Sequence, residues 1–272
     1  MSGLAELRDK VAVVTGGASG IGKGIATQLV RAGMRVVIAD IESQALQGTA
    51  TEIGAVGVRT DVSELPSVKA LATTVCERFG TVHVLCNNAG VGPMANLSDV
   101  TIEDWRWMIG VNLWGVIHGV HTFLPILKAN ADGGHIVNTA SVGGFTTMPG
   151  LGTYTVTKYG VIALTETLAQ ELEQEGSKVG VTALCPGTTR TNIKHSSRNR
   201  PKDLGGGKLL DVDLERGEFG AAFRWMEPND VGAIVVEAIR RGDLYAITHP
   251  EMFARVEERF KAVTDAFKRA GA

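Results

Sequence analysis

Short apolar runs and longer amphipathic stretches alternate along this chain at a regular rhythm. Residues 11–15 and 35–39 are almost wholly apolar, the pattern of parallel strands covered on both faces. Residues 56–60, 82–86, 135–140, 179–184 and 244–248 read as five further strands. Between them, apolar residues recur at turn spacing over 21–31, 42–53, 65–79, 101–130, 153–175 and 227–240, which predicts helices. Pro125 offers a break in the long 101–130 stretch. A charged amphipathic helix over 250–270 closes the chain. Strand followed by helix at this rhythm means right-handed crossovers and a parallel sheet. The fold class is α/β: a doubly wound, Rossmann-like parallel sheet of about seven strands with helices on both faces. One domain spanning residues 1–272 accommodates it.

Composition narrows the partners more than the chemistry. Hydrophobic residues make up 44% and charged residues 21% of the 272 positions, and the formal net charge is -2. No basic stripe interleaved with aromatics is present, so neither nucleic acid nor an anionic membrane is an expected partner. Cys76, Cys86 and Cys185 sit in apolar runs and read as buried free thiols, neither a disulfide frame nor a metal site. No metal is expected. No apolar signal region opens the chain and no run approaches membrane-spanning length, which points to the cytoplasm.

Residues with chemistry gather at the strand ends. Gly16, Gly20 and Gly22 form a glycine-rich turn between the first strand and the first helix. That arrangement presents backbone N–H groups and a helix N-terminus to a phosphate. Asp40 ends the second strand, eighteen positions beyond Gly22, where a carboxylate accepts hydrogen bonds from an adenosine ribose and repels a 2′-phosphate. No arginine or lysine adjoins Asp40 or the turn, Lys23 being the nearest, so NAD is favoured over NADP. Asp40 could instead cap the helix that follows it. Asp61 and Val62, Asn88, Ser141 and Gly187 also fall at strand C-termini, the edge at which such sheets bind ligands. Tyr154 and Lys158 lie four apart on a predicted helix and can point into one site. A neighbouring ammonium pulls a phenol's pKa down, and the pair could then move the proton of an alcohol at neutral pH.

Taken together these motifs resemble the compact branch of the short-chain dehydrogenase/reductases, over about residues 7–249. Thr15-Gly16-x-x-x-Gly20-x-Gly22 matches that family's cofactor motif and Asn87-Asn88-Ala89-Gly90 its strand-four motif. Asn112, Ser141, Tyr154 and Lys158 stand where the family carries its catalytic four, Ser141 at the family spacing of thirteen before Tyr154, and Pro186-Gly187 opens its nicotinamide-side loop. Val156 and Thr157 replace the more usual Ala and Ser. The resemblance implies hydride transfer between NAD and a secondary alcohol or ketone, with Tyr154 as general acid and base. Lys158 would lower the tyrosine's pKa and bond the nicotinamide ribose, Ser141 would bond the substrate oxygen, and Asn112 would hold a water. A helix asparagine bonded to backbone and a plain turn serine are the other readings of Asn112 and Ser141. The implied cofactor set is Gly16, Ser19, Gly20, Ile21, Gly22, Asp40, Asp61, Val62, Asn88, Gly90, Tyr154, Lys158, Pro186, Gly187 and Thr191. It further implies a homodimer or homotetramer built through the long helix and the Tyr154 helix.

Residues 188–226 lack a clear period and carry a cationic run at 194–202 and three glycines at 205–207. A segment this long inside a compact domain is expected to be a mobile lid or substrate loop. Phe219, Phe223, Trp225 and Met226 could line a substrate site or merely pack the loop down. The cations could greet an acidic substrate or lie solvated. Trp105, Trp107 and Trp114 read as packing or subunit contacts. The segments at 199–201, 225–228 and 245–249 resemble bacterial members that oxidise benzylic secondary alcohols of lignin-type aryl ethers, which implies a hydrophobic or aryl substrate. Two alternatives stay open: an NADPH-dependent 3-oxoacyl-type reductase, and a non-catalytic NAD-binding or sensing protein.

Overall fold

A computed structural model describes residues 3–271, apart from the side chains of residues 218 and 219. Seven strands form one sheet: β1 (Val11–Thr15), β2 (Arg35–Asp40), β3 (Val56–Arg59), β4 (Val84–Asn87), β5 (Gly134–Thr139), β6 (Val179–Cys185) and β7 (Tyr245–Ile247). Their order is β3-β2-β1-β4-β5-β6-β7, and all neighbours pair in parallel. The helices are α1 (Gly20–Arg31), α2 (Ser43–Ile53), α3 (Leu65–Phe79), α4 (Ile102–Ile109), α5 (Gly115–Lys128), α6 (Gly152–Gln174), α7 (Gly217–Ala222), α8 (Pro228–Arg241) and α9 (Phe253–Ala270).

Side-chain alternation along each strand sorts the core into two layers. Ala12, Val14, Ile38, Cys86 and Leu184 join Ile25 and Leu29 of α1 and Val235 and Ile239 of α8 in one cluster. Val11, Val13, Val37, Leu85 and Ile136 join Leu71 of α3, Phe123 of α5 and Leu172 of α6 in the other. Neighbouring strand residues thus serve opposite faces, and this is why the runs are apolar without a break. The chain winds outward from β1 to β3, then returns to β4 on the other side of β1. The crevice at this switch point, beyond the carboxyl ends of β1 and β4, is where such sheets take a ligand.

The long helix differs from expectation at its middle. It does not break at Pro125, which lies inside α5. Its irregularity is a π-turn, Gly110–Trp114, joining α4 to α5 and burying Asn112. Packing of Phe123 and Leu127, both fully buried, holds the last turn on the sheet despite the missing N–H. Thr101 opens α4 with a reciprocal capping box to Asp104. Contrary to the sequence expectation, residues 102–128 form one helical stretch of 27 residues that is long and apolar enough to cross a membrane by length and composition alone, with a mean hydropathy of 1.2 in its most apolar window. Here one face packs in the core while Trp114 is half exposed.

The 188–226 segment is less formless than its composition suggests. It holds two 3-10 stretches, Asn192–Asn199 and Lys202–Leu204, and the short α7. Isolated bridges join Thr189 to Met226 and Leu210 to Met94. Arg200 pairs with Asp104, a fully buried carboxylate, and stacks over the Trp107 ring. Burial would raise the Asp104 pKa, but hydrogen bonds from Lys208, Thr101 and Arg200 bring it down to about 2. Of the three thiols, Cys86 and Cys185 are buried as expected, whereas Cys76 on α3 is partly exposed.

Phe123 is the largest fully buried side chain in the layer that packs α3, α5 and α6 on the sheet. Phe123→Ala is expected to cost about 3–5 kcal/mol of stability, read from denaturant midpoints. A loss under about 1 kcal/mol would show that the α5 contact with the sheet is not a main support.

Candidate active site

A cavity of about 400 Å³ runs along the carboxyl edge of the sheet, from Asp40 and Glu42 at one end to Ser141, Tyr154 and Lys158 at the other. Its floor is the turn between β1 and α1. Gly16 and Gly20 have φ of +65° and +52°, which L side chains resist. Gly22 lies beneath the turn, where a Cβ would stand 2.1 Å from the Gly16 carbonyl oxygen. Asn88 pins the turn to the end of β4: its Nδ2 donates to the Thr15 carbonyl at 3.1 Å and its N–H to Thr15 Oγ1 at 2.9 Å. The first turn of α1 carries no acidic residue, leaving its positive end free to meet an anion.

Asp40 ends β2 at the cavity wall and ties two backbone segments together there. Its Oδ2 accepts from the Ala18 N–H of the glycine turn at 3.0 Å and its Oδ1 from the Glu42 N–H at 3.1 Å, where α2 begins. Burial raises its pKa against those bonds. Lys23, the nearest cation in sequence, is turned away to Glu52 at 2.7 Å. Ser19, Gly20, Ile21, Asp61, Val62, Gly90, Pro186, Gly187 and Thr191 also line the cavity. Asp61 is held by the Ser63 N–H and hydroxyl at 3.0 and 2.6 Å.

At the far end α6 presents Tyr154 and Lys158 one turn apart. Lys158 is 4% exposed. Its Nζ donates to the Thr139 carbonyl at 2.8 Å, where β5 ends, and lies 5.4 Å from the Tyr154 ring centre. Burial lowers the Lys158 pKa to about 8. The Ser141 hydroxyl stands within hydrogen-bonding reach of the Tyr154 phenol and accepts the Gly143 N–H at 3.0 Å. The phenol's pKa moves upward, not downward as the sequence suggested: burial outweighs the Ser141 bond, and the ammonium is engaged with Thr139. Asn112 does not line the cavity. Its Oδ1 accepts the Val91 N–H at 2.8 Å and its Nδ2 donates to the Val91 carbonyl at 2.9 Å. The backbone-bonded reading describes this side chain, and it fixes the segment after β4 against the π-turn.

Against known families, residues 10–202 match the model described as short chain dehydrogenase. The chain belongs to that family. It is therefore an oxidoreductase of Rossmann, nucleotide-binding type. The C alpha-dehydrogenase of Sphingobium sp. (strain NBRC 103272 / SYK-6) is 32% identical over 270 residues, 97% of this chain and 88% of that protein. A short-chain dehydrogenase/reductase from Burkholderia phymatum, solved in complex with NAD, superposes with a TM-score of 0.87 at 38% identity, over 95% of each chain. An alcohol dehydrogenase from the archaeon Thermococcus sibiricus, complexed with 5-hydroxy-NADP, gives 0.72 at 28% identity, over 89% of this chain and 96% of that one. The family implies a nicotinamide cofactor, and this short-chain dehydrogenase has the parts for one. The glycine turn leaves space that a Cβ at Gly20 would fill against Thr191, at 3.1 Å, and one continuous cavity joins Asp40 to Lys158.

Part of the cavity wall of this short-chain dehydrogenase is apolar. Met94, Trp107, Met148, Leu151, Phe223 and Trp225 line it, while Tyr154 packs against a cluster of Val91, Trp107, Met108 and Leu209. Met226 instead enters the core beneath α1 and α8, and the Phe219 side chain lies outside the described residues. Three cations of the loop are neutralised within the chain: Lys194 by Asp213 and Glu215 at 3.1 and 3.0 Å, Arg198 by Glu42, and Arg200 by Asp104. Among the described residues no group of metal-ligating side chains comes together. Sequence reasoning missed Glu42, Arg198, Asn199 and the Thr139 carbonyl as parts of the site, and took Trp107 for a packing or subunit contact. Only Trp107 had a local signal, its place on the helix that carries Asn112.

Proposed function

We propose that this chain is an NAD-dependent alcohol dehydrogenase or ketone reductase acting on a hydrophobic or aryl-bearing secondary alcohol. The observation that carries the reading is the meeting of Tyr154, Lys158 and Ser141 at one end of a cavity whose other end is closed by Asp40. A bound nicotinamide supplies or takes the hydride. Tyr154 gives its proton to a carbonyl oxygen, or takes one from an alcohol, and Ser141 donates a hydrogen bond to the same oxygen as charge develops there. Lys158 bonds the cofactor's ribose and, while protonated, favours the phenolate of Tyr154. Asp40 accepts from the adenosine ribose. Gly16, Ser19, Gly20 and Ile21 hold the pyrophosphate with α1, Gly22 lets the turn close, and Asp61 and Val62 flank the adenine. Asn88, Gly90, Pro186, Gly187 and Thr191 complete the cofactor wall, and Asn112 acts by positioning Val91.

Apolar lining and the resemblance to the C alpha-dehydrogenase support an aryl substrate. One domain carries both half-sites, with 188–226 as its substrate loop. The half-exposed Trp114 and Val156 suit a homodimer or homotetramer built through α5 and α6. The site is that of a cytoplasmic enzyme without nucleic acid or membrane partners. A reductase using NADPH is the second reading, favoured only by Arg198 in the cavity wall, whose charge Glu42 occupies.

Tyr154→Phe should lower kcat by roughly 10²–10⁴ with NAD binding unchanged by calorimetry; retained turnover would remove the proton-transfer role. Asp40→Ala should weaken NAD by roughly tenfold or more and relax the preference over NADP, so an unaltered ratio of kcat/KM values would refute the ribose contact. Because the phenol's pKa is raised, the phenolate needed for alcohol oxidation grows as pH rises, whereas ketone reduction needs the phenol and declines. Oxidation should therefore climb from pH about 7 into the alkaline range while reduction falls; parallel profiles in both directions would contradict Tyr154 as the shared acid and base.

A further inference from the structure

The 192–199 segment crosses the cavity and is fastened at both ends. Near Tyr154, Ser196 Oγ accepts the Gly92 N–H at 3.2 Å. At the opposite end Arg198 Nε donates to Glu42 Oε2 at 3.1 Å and its Nη2 to Glu42 Oε1. Asn199 Nδ2 donates to the same Oε1 at 3.0 Å. The remaining Arg198 nitrogen, Nη1, donates to the carbonyls of His195 and Asn192 within its own turn. Glu42 stands two residues beyond Asp40, and Asp40, Glu42, Arg198 and Asn199 all line the one cavity. A guanidinium is thus brought from 156 residues away to Glu42, two residues past Asp40, and it arrives with its charge already matched. Bidentate pairing of this kind fixes direction as well as charge.

We propose that Glu42 is a positioning and specificity residue: it straps the 192–199 segment over the adenosine half of the dinucleotide cleft and withholds Arg198 from a 2′-phosphate. The inference rests on the dehydrogenase reading above. It makes cofactor release and loop opening one event, because the segment that must lift to free the adenosine also contacts the chain beside Tyr154. It also gives the chain a second barrier to NADP besides Asp40: the only cation at that end is spoken for among the described residues lining it.

The test uses the full chain and stopped-flow fluorescence of bound NADH, together with kcat/KM for NAD and NADP. Glu42→Gln should release NADH about fivefold faster, the scale of a partly exposed ion pair, and shift the NADP-to-NAD ratio upward by a similar factor. Arg198→Met should release NADH faster with no gain for NADP, and the double variant should behave like Arg198→Met. Wild-type release and cofactor preference in Glu42→Gln would overturn the proposal while leaving the dehydrogenase reading intact. An NADP gain that survives in the double variant would assign the effect to the carboxylate alone and overturn the withheld-arginine half. If the wild-type chain retained no NADH, the dehydrogenase reading itself would fall, and the strap with it.

Discussion

A lysine kept almost wholly from water needs an acceptor for its protons, and the site is built around the one provided. Lys158 meets the carbonyl of Thr139, the last residue of β5. A strand that ends there turns its terminal carbonyl toward the cleft, and α6 crosses above it with Lys158 and Tyr154 one turn apart. Removal of water penalises each charged form, the ammonium of one and the phenolate of the other. The cost is tolerable only while strand end and helix keep their register. The sheet's parallel order sets that register, because β5 and β6 pair through Thr139 and Leu184 and α6 is the crossover between them.

The cleft is electrically polar along its length. Carboxylates of Asp40 and Glu42 stand at one end and the ammonium of Lys158 at the other, with the free end of α1 between them. A molecule lying in it would meet carboxylates, then a helix N-terminus, then an ammonium beside a phenol. These come from strand ends far apart in the chain, and no local segment contains more than two of them.

That division explains what the sequence could show. Parallel strands buried on both faces announce themselves as unbroken apolar runs, which made the central strands legible, and the regular strand–helix rhythm marked the less buried edge strands β3 and β7. Tyr154 and Lys158 were legible because a helix makes neighbours of positions four apart. The ion pairs that shape the 188–226 segment were not, since Arg198 and Arg200 reach across 156 and 96 residues to Glu42 and Asp104. A run of cations in a period-free stretch gives no sign of which partners will neutralise it. Pro125 misled because local propensity argued for a break where packing of Phe123 and Leu127 decides otherwise. The direction of the Tyr154 shift misled for a related reason: spacing reveals a nearby charge, but only the folded shape reveals how little water remains.

The π-turn at Gly110–Trp114 places an extra residue in a helix that is otherwise α-helical. Each residue of an α-helix advances about 100° around the axis, so this insertion re-aims everything before it relative to everything after. It lets Asp104, Trp107 and Met108 face the body from α4 while Val116, Phe123 and Leu127 do so from α5. Shortening the turn by one residue would swing α4 through roughly a quarter of a revolution. Asp104 would leave its arginine and Trp107 the cavity wall together, so the width of the cavity is geared to the length of a single helical turn, which itself adds only Val111 to the wall among the described residues.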